Sequence, residues 1–262
     1  MPRKMVTKVC LALISGITLA GSALASSYTA NFTGPGLDPS LYFLPVRFFD
    51  PSVDPTYSVG GDKLTLRDNS GGAGEANVFS HFAVTGDFRA KITADTSKLN
   101  GAGLDFAAFD SVLGGGGFSG ITFPGGNIYT DGAANVGSTF NDRMHSYQAS
   151  GPGHAGTVTL EIDRIGTALS VYDDGMLVNH ADDLSLTHPI GFLISLCLGS
   201  CYPALPQGMP ASVTISSFTI TQPSSNIAEP ATLAVLGPAL AMVAIVRRRG
   251  AQLGCASPQQ PV

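Results

Sequence analysis

Tryptophan is absent from this chain of 262 residues, and charge is sparse, with only 13% of residues charged. Without tryptophan, the usual exposed aromatic platform for sugars is missing, and tyrosine is the ring with a polar tip left to take that place. Basic residues are scarcer still away from the ends. Six of the 14 Lys and Arg are Arg3, Lys4, Lys8, Arg247, Arg248 and Arg249, and Glu229 also lies near the C-terminus. The body of the chain therefore carries 8 cations against 18 anions, a balance of −10. Such a charge repels phosphate polymers and excludes nucleic acid as a partner. Catalytic signatures are lacking too: there is no Gly-x-Ser-x-Gly elbow and no His-Glu-x-x-His. The five histidines, His81, His145, His154, His180 and His188, are scattered and read as solvated loop residues. No sustained helical period occurs before residue 231.

What the body of the chain does have is alternation. Lys63-Leu64-Thr65-Leu66-Arg67, Phe88-Arg89-Ala90-Lys91-Ile92 and Val158-Thr159-Leu160-Glu161-Ile162-Asp163 switch between apolar and polar at every residue, and the segment 211–221 alternates as Val213, Ile215, Ser217 or Phe218, then Ile220. Glycine and proline punctuate the chain every eight to twelve residues, and Gly114 to Gly117 reads as a loop. Asp173-Asp174-Gly175 between two apolar runs is a hairpin signal. Many short strands at this spacing predict an all-β, two-sheet antiparallel sandwich over residues 26–222. Of the 4 cysteines, Cys197 and Cys201 lie in this body. An oxidising compartment would pair them across Gly199-Ser200, contributing about 2 kcal/mol. They need a turn, because residues four apart in a strand are about 13 Å apart.

The two ends carry addresses. Arg3, Lys4 and Lys8 precede an apolar run over residues 9–20 and the small-residue site Ala23-Leu24-Ala25, which predicts a cleaved signal peptide over residues 1–25. After a linker at 223–230, residues 231–246 form an apolar stretch about 24 Å long as a helix, against a hydrocarbon core of about 30 Å. Arg247, Arg248 and Arg249 then stop it, leaving a basic cytoplasmic tail over 247–262 and the body outside the membrane. This order of motif, helix and arginines resembles the PEP-CTERM sorting signal. The matching residues are Glu229, Pro230, Ala231 and Thr232, followed by Leu233 and Ala234; Ala228 stands where the family has its first proline. The resemblance implies recognition by an exosortase-type membrane peptidase, with release to the cell surface or extracellular matrix.

A second resemblance covers the body. Phe79 to Ala90, with its Gly86-Asp87-Phe88 turn, and Arg164-Ile165-Gly166 leading through Tyr172 to Asp174-Gly175, are similar to concanavalin A-like jelly rolls of the laminin-G and glucanase type. The Phe32 to Asp38 opening fits the first strand of that family. The resemblance implies a two-sheet jelly roll whose concave face often binds glycans. Glucanases of this fold place three carboxylates on one strand face, and Glu161 with Asp163 supplies only two of them. No carboxylate follows at Arg164, Ile165 or Gly166. The expectation is therefore a non-enzymatic, exported surface protein associated with exopolysaccharide, with no catalytic residues, and with a lectin-like module and a divergent glycoside hydrolase as alternatives. Tyr129, Tyr147 and Tyr172 are the candidate sugar platforms, and Phe79, Phe82 and Phe88 are read as core. No cofactor is required. Calcium is a candidate ligand at Asp173, Asp174, Asp182 and Asp183, with Asn179 between the pairs, because hard cations take several oxygens from one loop.

Overall fold

In the computed structural model, residues 27–47, 55–68, 74–112, 124–132, 135–142, 145–198 and 210–223 are described. The expected signal peptide, the expected sorting residues Glu229, Pro230, Ala231 and Thr232, the apolar stretch, the arginines, the glycine run and Cys201 all lie outside them. Fifteen strands run in chain order: β1 (Ser27–Thr29), β2 (Leu41–Arg47), β3 (Pro55–Gly60), β4 (Lys63–Asp68), β5 (Gly74–Ser80), β6 (Phe88–Asp95), β7 (Gly103–Asp110), β8 (Gly125–Thr130), β9 (Asn135–Asn141), β10 (Ser146–Pro152), β11 (Thr157–Ile165), β12 (Ala168–Asp173), β13 (Met176–Ala181), β14 (Ile190–Leu198) and β15 (Ala211–Thr221). No helix is present among the described residues. Sheet A has the order β13-β12-β11-β6-β15-β4-β3, with β1 also on β15; sheet B has the order β10-β9-β8-β7-β14-β5-β2. All-antiparallel pairing in two stacked sheets is the sandwich that the alternation predicts.

Sheet A follows period two closely. Phe88, Ala90, Ile92 and Ala94 of β6 are buried, as are Val158, Leu160 and Ile162 of β11. The segment 211–221 alternates through Val213 and Ile215 and then loses phase, because the pairing of β15 with β6 shifts between Ile215 and Ser217. The bulge leaves Ser216 exposed and returns Phe218 and Ile220 to the core. Asp174 and Gly175 both have positive φ, 47° and 80°, the backbone a two-residue Asp-Gly hairpin demands. One expected strand is not formed. Residues 31–38 make a loop closed by Asp38, whose carboxylate accepts from the Asn31 amide at 2.7 Å, while Phe32 drops into the core.

Sheet B departs from simple alternation. Every residue of β14 from Ile190 to Cys197 is buried, as is β5 from Gly74 to Phe79. Ile190, Phe192, Ile194 and Leu196 point into the core between the sheets, alongside Ala76 and Val78 of β5 and Leu104, Phe106 and Ala108 of β7. The alternate residues of the same strands therefore face outward and are nonetheless enclosed. Phe79 is one of them: it belongs with Leu193, Ala107 and Phe109 in a separate small cluster, not in the main core. Phe88 is core, as expected, and Phe82 packs against it partly buried.

The centre of the core is aromatic. Phe218 meets Phe106 at 6.0 Å between centroids, Phe192 at 6.1 Å and Tyr28 at 5.6 Å, all near edge-to-face. This joins β15 of sheet A to β7 and β14 of sheet B. Truncating Phe218→Ala is expected to destabilise the fold by about 3–5 kcal/mol, lowering Tm by roughly 10 °C in a thermal melt followed by circular dichroism.

Candidate functional site

The outward face of sheet B concentrates polar groups where a two-sheet protein normally shows solvent. Cross-strand register aligns them in a row: Asn77 of β5 faces Ser195 of β14, Ser195 faces Asp105 of β7, Asp105 faces Tyr129 of β8, and Tyr129 faces Gly137 of β9. One step along the strands, Glu75 faces Cys197; one step the other way, Ala107 faces Asn127 and Asn127 faces Thr139. Glu75, Asn77, Asn127 and Ser195 are 0%, 1%, 5% and 2% exposed. Burying so many polar groups together costs free energy unless they are satisfied.

Part of that satisfaction is internal. Asn77 donates from Nδ2 to Glu75 Oε2 at 2.9 Å, and Asn127 donates from Nδ2 to Asp105 Oδ1 at 3.0 Å. Asn127 Oδ1 accepts from the Thr139 amide at 2.9 Å, so both ends of that amide are committed. The Cys197 sulfur lies 3.8 Å from Glu75 Oε1. Cys197 is in a disulfide, so its sulfur has no proton and this is a contact only. Two atoms have no hydrogen-bond partner: Asn77 Oδ1 and Ser195 Oγ. Ser195 is on β14 opposite Asp105 and Asn77 is on β5 opposite Ser195, and both atoms can bond to a hydroxyl brought by a ligand.

Asp105 is the chemical centre of the row. It is only partly buried by exposed area, yet the protein around it is dense enough to push its carboxyl up to about 7. Desolvation is the main cause, the nearby Glu75 charge adds to it, and the Asn127 hydrogen bond opposes it. A carboxylic acid that keeps its proton near neutrality can serve as a general acid. Tyr129 lies flat across Gly137, where a Cβ would strike its ring. Gly191 likewise leaves space for Phe109, whose ring would stand 2.9 Å from a Cβ there. The apolar group of Phe79, Leu193, Ala107 and Phe109 extends the face, and Tyr42 stacks on Phe79 at 5.3 Å and 14° while remaining 39% exposed.

The three tyrosines expected as platforms are thus dispersed. Tyr129 is in this row. Tyr147 packs against the core and donates its hydroxyl to Asp183 at 2.8 Å. Tyr172 sits on sheet A opposite Glu161. Tyr42, Asp105 and Glu75 escaped the sequence reading; the cue available was a carboxylate within an otherwise apolar strand.

The carboxylates singled out in the sequence lie on the outward face of sheet A, the other side of the molecule. Arg89 clamps Asp163 at 2.7–3.1 Å through two nitrogens and reaches Glu161 at 3.1 Å; Lys91 reaches Glu161 at 2.6 Å. Glu161 therefore pairs with β6, not with Arg164, which donates to the carbonyls of Gly166 and Leu186. The two carboxylates are thus tied into an ion cluster with Arg89 and Lys91. On the same face Ser170 Oγ lies 2.8 Å from His180 Nδ1, and His180 Nε2 lies 2.7 Å from Asp182 Oδ1. This is a serine–histidine–aspartate chain that the scattered histidines did not suggest. Its aspartate is 84% exposed and its serine lies mid-strand between two paired neighbours, where backbone amides are committed to the ladder. The calcium candidates also separate: Asp173 and Asp174 lie at the turn of the β12–β13 hairpin, Asp182 and Asp183 beyond its far end.

No family model matches the chain, and no curated protein matches it. Solved structures do. The catalytic domain of an endo-1,3-beta-glucanase (laminarinase) from Thermotoga petrophila has a TM-score of 0.60 at 13% identity, covering 78% of this chain and 100% of that one. The beta-glucanase of Bacillus licheniformis has a TM-score of 0.56 at 12% identity, covering 75% and 98%. An apo transglycosylase has a TM-score of 0.53 at 15% identity, covering 78% and 86%. The shared property is the jelly-roll fold. These neighbours are enzymes of glycan cleavage and transfer, and they overturn the expectation of a non-enzymatic protein.

The raised carboxyl has a consequence for stability. In the folded chain Asp105 keeps its proton up to about pH 7, whereas in the unfolded chain an aspartate releases it near pH 3.9. Between those values the folded state binds more protons, so this group's contribution is full below about pH 4 and is lost as pH rises through 7. Asp105→Asn removes that loss. Urea denaturation of both forms at pH 5 and pH 8 should show the variant gaining on the wild type at pH 8.

Proposed function

We propose that this protein is a glycoside hydrolase of the β-glucan class, working at the Asp105 row of sheet B. The observation that carries the reading is a protonated, partly exposed Asp105 beside the buried Glu75 charge and the unpartnered Asn77 and Ser195 oxygens. The names of the structural neighbours support the substrate class. Asp105 gives its proton to the leaving glycosidic oxygen as the bond to the anomeric carbon breaks. Glu75 supplies negative charge opposite the cationic character that develops on the sugar ring. Water completes the reaction: its hydroxyl goes to the anomeric carbon, and its proton restores the acid. Asn77 and Ser195 bond to sugar hydroxyls, and Tyr129 and Tyr42 give the ring faces against which sugars lie.

Reducing ends released from β-1,3-, mixed-linkage and other β-glucans, measured with the purified protein, test this. Asp105→Asn is expected to lower turnover at least 100-fold. Wild-type activity should fall as pH rises above about 7, where Asp105 loses its proton. No turnover of any β-glucan, or full activity in the variant, would overturn the assignment.

We also propose that the enzyme is exported and handled by an exosortase-type peptidase at Glu229, Pro230, Ala231 and Thr232, with Arg247, Arg248 and Arg249 as the stop. Extracellular polysaccharide is then both its surroundings and its substrate. Mass spectrometry of the protein from its native host should find an N-terminus at Ser26 and a new C-terminus near Glu229, with Glu229→Ala left untrimmed. A C-terminus at Val262 in both forms would sink the sorting reading and leave the hydrolase reading intact.

A further inference from the structure

A second polar cluster lies away from the Asp105 row, where the crossover from sheet B to sheet A meets a hairpin turn. His154 belongs to the crossover between β10 and β11, and Asp173 with Asp174 forms the β12–β13 turn. His154 Nε2 is 3.4 Å from Asp173 Oδ2 and 3.1 Å from Asp174 Oδ2. One ligand atom from each of the three residues falls within 4.8 Å of the others. Asp173 is 3% exposed, and its Oδ1 has no hydrogen-bond partner. A histidine alone does not account for that buried oxygen, whereas a cation in the same cluster would draw on both carboxylates.

We propose that His154, Asp173 and Asp174 form a binding site for a divalent ion of the zinc type. One imidazole nitrogen and two carboxylate oxygens are borderline ligands, suited to zinc, and they leave a fourth position for water. Calcium, expected here from the aspartates alone, takes six to eight oxygens, and the far pair Asp182 and Asp183 is too distant to supply them. The partners are held in place before any metal arrives. Asp174 Oδ1 accepts from the Thr159 amide at 2.7 Å, and the Asp174 amide donates to the Thr159 carbonyl at 2.9 Å. On the other side of His154, the Gly156 carbonyl accepts from Thr96 through both its amide and its hydroxyl, at 2.8 and 3.0 Å. Gly153 lies so close to Asn135 and Gly132 that a Cβ would stand 2.7 Å from their backbone.

The bound ion would tie the intersheet crossover to the turn, so its effect is on stability and not on the Asp105 chemistry. The proposal does not depend on the hydrolase reading. Zinc chloride alone is the probe, titrated by calorimetry into the full-length chain treated beforehand with EDTA. The expected result is one zinc per chain, with Tm raised by about 5 °C at a hundredfold excess over Kd. His154→Ala and Asp173→Asn should each weaken binding more than tenfold. Because either change could disturb the fold, circular dichroism and the metal-free Tm are recorded for each, and a third variant, Asp182→Asn, should bind as the wild type does. No saturable zinc uptake by the wild type, or equal uptake in His154→Ala and Asp173→Asn, overturns the proposal. So would a gain in stability of Asp173→Asn with no zinc bound by the wild type, since Asp173 would then simply hold a proton.

Discussion

The interlock of Phe106, Phe192 and Phe218 sets the position of everything on the far face of sheet B. Phe106 and Phe192 sit on β7 and β14, and their rings meet Phe218 across the core at about 6 Å. Side chains in a strand alternate, so fixing Phe106 inward fixes Asp105 outward, and fixing Phe192 and Ile194 inward fixes Ser195 outward. A slip of one residue on β7 would carry an ionisable group into the aromatic core. The same packing that stabilises the sandwich thus also determines which face of β7 and β14 can carry chemistry.

Two pairs of acids show how environment outweighs residue type. Glu161 and Asp163 share one strand face, as paired catalytic carboxylates do, and for that reason they stand out in the sequence. Arg89 and Lys91, opposite them on β6, turn the pair into a structural ion cluster. Glu75 and Asp105 lie 30 residues apart and announce nothing. Their strands are separated by β14, where Ser195 stands opposite Asp105 and Cys197 opposite Glu75. No cation contributes to the shift at Asp105, so burial and the Glu75 charge raise it unopposed save for one amide. Proximity in sequence signalled neutralised charge, while the buried Glu75 and Asp105 group was assembled by register alone.

The legible part of this molecule was what depends on one strand at a time. The alternation at Leu64-Thr65-Leu66 and at Leu160-Glu161-Ile162, and the Asp174-Gly175 turn, led directly to strands and a hairpin. The phase of β15 was open at Ser217 or Phe218, and the bulge at the adjacent serines Ser216 and Ser217 decides it for Phe218. Phe79 is buried as expected, but in the smaller cluster on the outer side of sheet B: in a strand buried on both faces, an apolar residue does not reveal which side it serves. The site failed to show because it depends on pairing. Gly137 looks like any loop-former until β8 lies beside it and the Tyr129 ring needs its space. His154 looks solvated until the hairpin brings Asp173 and Asp174 to it.

Assembly across strands also accounts for how this face differs from the one-strand carboxylate series expected of glucanases. The outward positions of β7 are Gly103, Asp105, Ala107 and Phe109, a single acid followed by apolar residues. Ala107 and Phe109 join Phe79 and Leu193 in an apolar cluster on the same face as Asp105. Hydrocarbon at that place raises the cost of ionising Asp105, which a second carboxylate on β7 would do only by direct repulsion. Its negative counterpart then comes from Glu75, two strands away and held by Asn77. In this arrangement β14 is the spacer: Ser195 stands opposite Asp105, buried with its hydroxyl unpartnered, and Cys197 stands opposite Glu75.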